Sequence, residues 1–103
     1  MAKRLRIAVF YRAPDDDPSA VERTYHEISD KMKGTDGLLQ NELLHDVMDP
    51  SSWVVLSEWE NLAAFQAWDA SGDHKTTSPL DPYQDLDPAQ RKSFGLFDVV
   101  ASY

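Results

Sequence analysis

The stretch "WVVLSEWENLAAFQAW", residues 53–68, changes period at its middle. Its first half is β-branched and aromatic, and alternation puts Trp53, Val55, Ser57 and Trp59 on one face. That pattern predicts a strand over 53–60. Its second half places Leu62, Phe65 and Trp68 at i, i+3 and i+6, which predicts a helix from about Asn61 to Ser71. A strand feeding directly into a helix sets Trp59 in a sheet and Phe65 and Trp68 in the layer above it. All three tryptophans of the chain lie in this stretch. They form either an ordinary core or the wall of a pocket for a flat ligand.

Upstream, "GLLQNELLHDV" reads as a second strand over 38–47. It pairs with the first through a turn at Asp49 and Pro50. Further upstream, "LRIAVFYRA" (5–13) alternates Leu5, Ile7, Val9 and Tyr11 against Arg6, Ala8, Phe10 and Arg12, again a strand. "PDDDP" breaks it and leads into a helix from about Pro18 to Lys33. Val21, Tyr25, Ile28 and Met32 form the apolar stripe of that helix. Ser19 and Glu22 have capping-box spacing, and Gly34 is the expected stop.

Downstream, residues 72–92 hold three prolines and no sustained period. A connection of this length in a small domain suggests a lid over a site, with a short helical turn from Pro88 capped by Asp87. "SFGLFDVVAS" reads as the last strand. The order is β-α-β-β-α-β, the ferredoxin-like split unit of α+β proteins, in one domain over 1–103. Helices cover one face of such a sheet, and the other face is left apolar. A second subunit stacked there satisfies it, so a homodimer is expected.

Composition limits the function. The chain has 103 residues and no cysteine, so neither a disulfide framework nor a thiol nucleophile is available. Eighteen acidic residues against ten basic ones give a net charge of −8, which opposes nucleic acid and anionic membranes. The apolar run after "MAKR" is too short for a signal peptide or a membrane span, and a cytoplasmic protein is expected. No glycine-rich phosphate loop and no Cys-His metal spacing occur. The triplet Asp15, Asp16 and Asp17 reads as an acidic lead-in to a helix rather than a cation site.

The segment "GTDGLLQNELLHDVMDPSSWVVLSEWENLAAFQAW" resembles the antibiotic biosynthesis monooxygenase family of dimeric α/β barrels. The shared features are a glycine before strand two, then "EL", an acidic "DP" turn, a strand ending in "EW" and a helix with a central aromatic. One branch of that family oxidises anthrone-type polyketide intermediates with molecular oxygen and no cofactor. The resemblance places Trp59 at that branch's strand-end Trp. Val55 stands where the branch has an Asn, and Phe65 where it has a Tyr. A second branch degrades heme. There Trp68 matches a helix Trp, Tyr11 stands at an Asn position, and Ser78 stands where an iron-binding His is required.

The resemblance implies a cofactor-independent monooxygenase acting on a small aromatic substrate, without metal or other cofactor. A polyketide cyclase or ligand-binding barrel is the alternative, and heme degradation the weakest reading. Trp59 is a candidate indole donor to a substrate oxygen or a core residue. Phe65, Trp68 and Val55 are candidate pocket walls. His74, at the start of the long connection, is the candidate base, because imidazole titrates near neutral pH. Tyr11 is the second candidate for proton handling, and Tyr83 is placed to close over the site. His26 reads as a surface residue.

Overall fold

The computed structural model describes residues 3–85 and 94–103, with only the backbone course given for 73–77. The elements are β1 (Leu5–Arg12), α1 (Ala20–Met32), β2 (Leu38–His45), β3 (Ser52–Trp59), α2 (Leu62–Ala70), a 3₁₀ helix (Asp73–Tyr83) and β4 (Phe94–Asp98). All strand pairs are antiparallel, in the order β2-β3-β1-β4. This is the ferredoxin-like arrangement that the element order implied.

Alternation along β1 sorts the sheet into two faces. Leu5, Ile7 and Tyr11 are buried beneath the helices, while Arg6 and Arg12 are exposed on the far side. Register carries this sorting across the sheet. Ile7 pairs with Ser57 and Leu96, and Tyr11 pairs with Trp53. The covered face holds two packed groups. Tyr11, Ala13, Val21, Ile28, Trp53 and Leu80 form one, and Leu5, Ile7 and Trp59 form the other. Val9 touches both.

The β2–β3 hairpin turns through Asp49 and Pro50 as read. Asp46 accepts from Met48 N–H at 2.8 Å and Asp49 accepts from Ser51 N–H at 3.1 Å. These local carboxylate bonds hold the turn without help from the core. Arg12 donates to Asp49 at 3.1 Å and ties β1 to it.

Four local expectations need correction. Ser19 sits at the start of α1 but makes no side-chain cap bond. Its hydroxyl lies with Asp17 and Arg23 instead, where Arg23 donates to Asp17 at 2.7 Å and dominates the cluster. Leu62 is not on the buried stripe of α2: it is exposed, and Ala64 joins Phe65 and Trp68 against the sheet. The 72–92 connection is not structureless, since Asp73–Tyr83 coils as a 3₁₀ helix containing Pro79 and Pro82. Two prolines remove amide donors and forbid an α-helix, but they tolerate this tighter coil. The last strand ends at Asp98, so Val99 to Ser102 are not part of it. The turn read from Pro88, with Asp87, lies outside the described residues.

Candidate functional site

Between the sheet and its helical cover lies a cavity of about 530 Å³, a size suited to a small polycycle. Its floor comes from alternate residues of three strands: Ile7, Val9 and Tyr11 of β1, Val55, Ser57 and Trp59 of β3, and Phe94 and Leu96 of β4. Tyr25, Ile28 and Met32 of α1 form one flank, and Phe65 and Trp68 of α2 another. Leu80, Asp81 and Gln84 close the roof.

The aromatic residues of the opening stretch form one end wall. Trp59 is 1% exposed. Its ring meets Phe65 edge-on, with centroids 5.5 Å apart and planes at 74°, and meets Trp68 at 5.5 Å and 44°. Phe65 and Trp68 are 6.0 Å apart. These are packed, tilted contacts. The three rings touch each other and leave no slot between them. A flat molecule entering the cavity would meet this wall from one side, with no gap between its members to enter.

The Trp59 indole N–H already has an acceptor. It donates to Ser57 Oγ at 3.0 Å, two residues back on the same face of β3. The alternation that aligns Ser57 with Trp59 on one face of β3 supplies this acceptor within the strand. Trp53, on the same face, is stacked on His45 with centroids 3.9 Å apart. Its own indole N–H is buried without a partner among the described residues.

Tyr11 lies on the floor and its phenol is pushed well above its ordinary range by burial, and further by the negative charge of Asp81. A phenol held neutral in this way donates hydrogen bonds and does not accept protons as a base. Val55 is on the floor and is apolar. Tyr83 is elsewhere. It packs against the group containing Tyr11, Trp53 and Leu80 and is not among the described residues of the cavity wall. Leu80 is 1% exposed and anchors the 3₁₀ helix in the core, and Tyr83, three residues on, is half-buried against the same group. His74 belongs to that helix by its backbone, but its side chain lies outside the described ones. His26 is exposed, 3.6 Å from Glu22.

Several wall residues had not been singled out: Asn41, Ser57, Tyr25, Asp69 and Asp81. Ser57 carried a signal, being the one polar member of the 53/55/57/59 face. Asn41 is opposite Ser57 in the β2–β3 register, which only pairing reveals. Tyr25 donates to Asn41 Oδ1 at 2.8 Å and bridges α1 to β2.

Heme does not fit the residue pattern. Ser78, at the position where the heme branch needs its imidazole, is on the cavity wall, and a hydroxyl is not an axial ligand of that kind.

Comparison with known proteins places this geometry. The sequence model of the antibiotic biosynthesis monooxygenases matches residues 4–79. Protein SchA of Streptomyces halstedii is 30% identical over 81 residues, which are 78% of this chain and 21% of SchA. The chain thus spans about a fifth of the length of the curated relatives it matches. Among solved structures, a mutant of SnoaB, a cofactor-independent oxygenase from Streptomyces nogalater, superposes with a TM-score of 0.78 at 16% identity, covering 98% of this chain and 97% of SnoaB. A heme-degrading protein of Mycobacterium tuberculosis superposes at 0.71 with 21% identity, covering 100% of this chain and 98% of the other. At such identities the superpositions speak for the fold, and one fold carries both chemistries. The family match extends from β1 into the 3₁₀ helix and so takes in most of the cavity wall: this chain belongs to the antibiotic biosynthesis monooxygenase family.

Proposed function

We infer that the protein is a cofactor-independent monooxygenase that oxidises an anthrone-like or phenolic polyketide intermediate with molecular oxygen. The observation that carries this reading is the cavity itself: apolar on most sides, walled by Trp59, Phe65 and Trp68, and supplied with a few neutral donors. Such a site suits a flat, electron-rich molecule that brings its own reducing electrons.

The chemistry asks little of the protein. Loss of a proton from the activated methylene gives a carbanion whose charge spreads onto the substrate's oxygen. The carbanion reduces oxygen and combines with it as a hydroperoxide, which loses water to leave a carbonyl. One CH₂ and one O₂ become one C=O and one H₂O. The cavity's work is to exclude bulk water, hold the ring system and stabilise the oxyanion. Tyr11, kept neutral, is a donor to that oxyanion. The proton acceptor is assigned to the roof helix, which carries Asp81 on the cavity wall and His74 at its start.

The active unit in this reading is a homodimer. The far face of the sheet carries Phe97, half-exposed, opposite Arg6 in the register. A second copy laid on this face covers apolar area that otherwise meets water.

The test is oxygen uptake by purified protein with anthrone. The expected result is one O₂ consumed per anthraquinone formed, faster than in protein-free buffer. Tight binding of anthrone without any acceleration would instead establish a cyclase or a binding barrel. Val55 favours that second reading, because an apolar side chain there offers no hydrogen bond to an intermediate.

A further inference from the structure

The geometry points to Ser57 and Asn41 as a paired donor site that grips one oxygen of the ligand, with Trp59 and Tyr25 as the residues that aim them. The inference rests on the cavity being the substrate site.

Ser57 and Asn41 are direct partners across β3 and β2, and both line the cavity. Side chains of such a pair leave the sheet on the same face, with Cβ atoms about 5 Å apart. Each has one half of its hydrogen-bonding capacity fixed by a neighbour. Ser57 Oγ accepts the Trp59 indole N–H at 3.0 Å. An oxygen that accepts there turns its own proton away from the indole, and no described residue takes that proton. Asn41 Oδ1 accepts the Tyr25 hydroxyl at 2.8 Å. With its carbonyl side committed, the amide presents its NH₂ on the remaining side, and no described residue accepts from it. Two donors of fixed orientation and opposite origin therefore converge on one small volume beside the aromatic wall.

Polarisation adds to orientation. A hydroxyl that accepts a bond donates more strongly, since bonds in a chain reinforce each other at low dielectric. Ser57 is buried, and the surrounding floor of Ile7, Val9 and Val55 is apolar. The pair thus selects a ligand with a carbonyl, phenol or enolate oxygen at one edge of a flat ring system. It discriminates against the same hydrocarbon without that oxygen, because binding the latter would leave both donors dry and unpaired. Trp59 and Tyr25 act through their partners and are positioning residues.

Anaerobic titration of tryptophan fluorescence with anthrone and with 9,10-dihydroanthracene tests this. The two probes share a tricyclic skeleton and differ at the ketone. Ser57→Ala and Asn41→Ala each weaken anthrone binding about five- to tenfold and leave dihydroanthracene within twofold, which also shows that the pocket is intact. Ser57→Thr keeps the hydroxyl and keeps anthrone affinity. Trp59→Phe loses preference for anthrone over dihydroanthracene while retaining the hydrocarbon. If both alanine variants hold anthrone as tightly as the parent protein, the paired site is refuted, whatever the oxygen-uptake result. If the parent prefers anthrone through Ser57 and Asn41 yet consumes no oxygen, the site stands and the oxygenase reading falls.

Discussion

Gly37 and Ala64 touch so closely that a Cβ on the glycine would lie 2.5 Å from the alanine Cβ. This contact sets α2 against the start of β2, and Gly37 also has φ of +81°. Gly37→Ala therefore combines overpacking with backbone strain, costing about 3 kcal/mol and lowering Tm by roughly 15 °C. Gly34 shares the positive φ of +78° but has open space around it. Gly34→Ala costs only the backbone term, about 1 kcal/mol and roughly 5 °C. Equal losses in thermal melts of the two variants would show that the Gly37–Ala64 contact carries no weight.

The two buried indoles on β3 differ in what their N–H groups find. Trp59 has Ser57, while Trp53 has no partner among the described residues. Trp53→Phe removes a group whose desolvation is uncompensated; Trp59→Phe removes a made bond. Both lose packing, but the Trp59 change costs about 1–2 kcal/mol more in urea unfolding. The opposite order would mean that the Ser57 bond is energetically empty.

Tyr11 predicts a pH dependence of stability. Burial and Asp81 raise its folded-state pKa above the ordinary value near 10. The folded protein then keeps a proton that the unfolded chain releases. The stabilisation is complete below about pH 10 and declines as pH rises beyond it, by about 1 kcal/mol per unit. Tyr11→Phe flattens that decline. Unfolding free energies measured from pH 8.5 to 11.5 check it, and identical slopes in both proteins would count against a buried neutral phenol.

Leu80, fully buried from the 3₁₀ helix, is the plug between α1 and the sheet. Leu80→Ala leaves a hole that this coil cannot close, and costs about 3 kcal/mol. Unchanged stability in denaturant would show the helix to be a passive cover.

Phe97→Glu places a charge on the edge strand of the face opposite the cavity. Sedimentation equilibrium should give twice the 11.7 kDa chain mass for the parent protein and the single mass for the variant. A parent protein that sediments as a monomer disposes of the dimer.

Much of this architecture was legible because it rests on local periods. The switch at residues 59–61 from alternation to helical spacing located β3, α2 and the aromatic wall. Alternation in β1 likewise set Tyr11 on the covered face. Long-range information was less accessible. Asn41 became interesting only through its pairing with Ser57, and pairing register is not written in either strand alone. The proline-flanked Leu80 gave no period, because a 3₁₀ coil of this composition repeats nothing. The fate of the Trp59 N–H depended on a neighbour two residues away whose rotamer no pattern specifies.

The segment after the 3₁₀ helix is stitched to the floor it overhangs. Gln84 bridges Tyr11, Asp85 N–H bonds the Phe10 carbonyl at 2.9 Å, and Arg12 approaches the buried Asp85 carboxylate at 3.7 Å. Roof and floor at this end are thus tied together through β1. On the β4 side, Phe94 and Leu96 line the cavity and are themselves partly exposed. Bulk at those two positions is therefore expected to slow the exchange of a flat molecule with the cavity, which stopped-flow fluorescence of Phe94 and Leu96 variants would read.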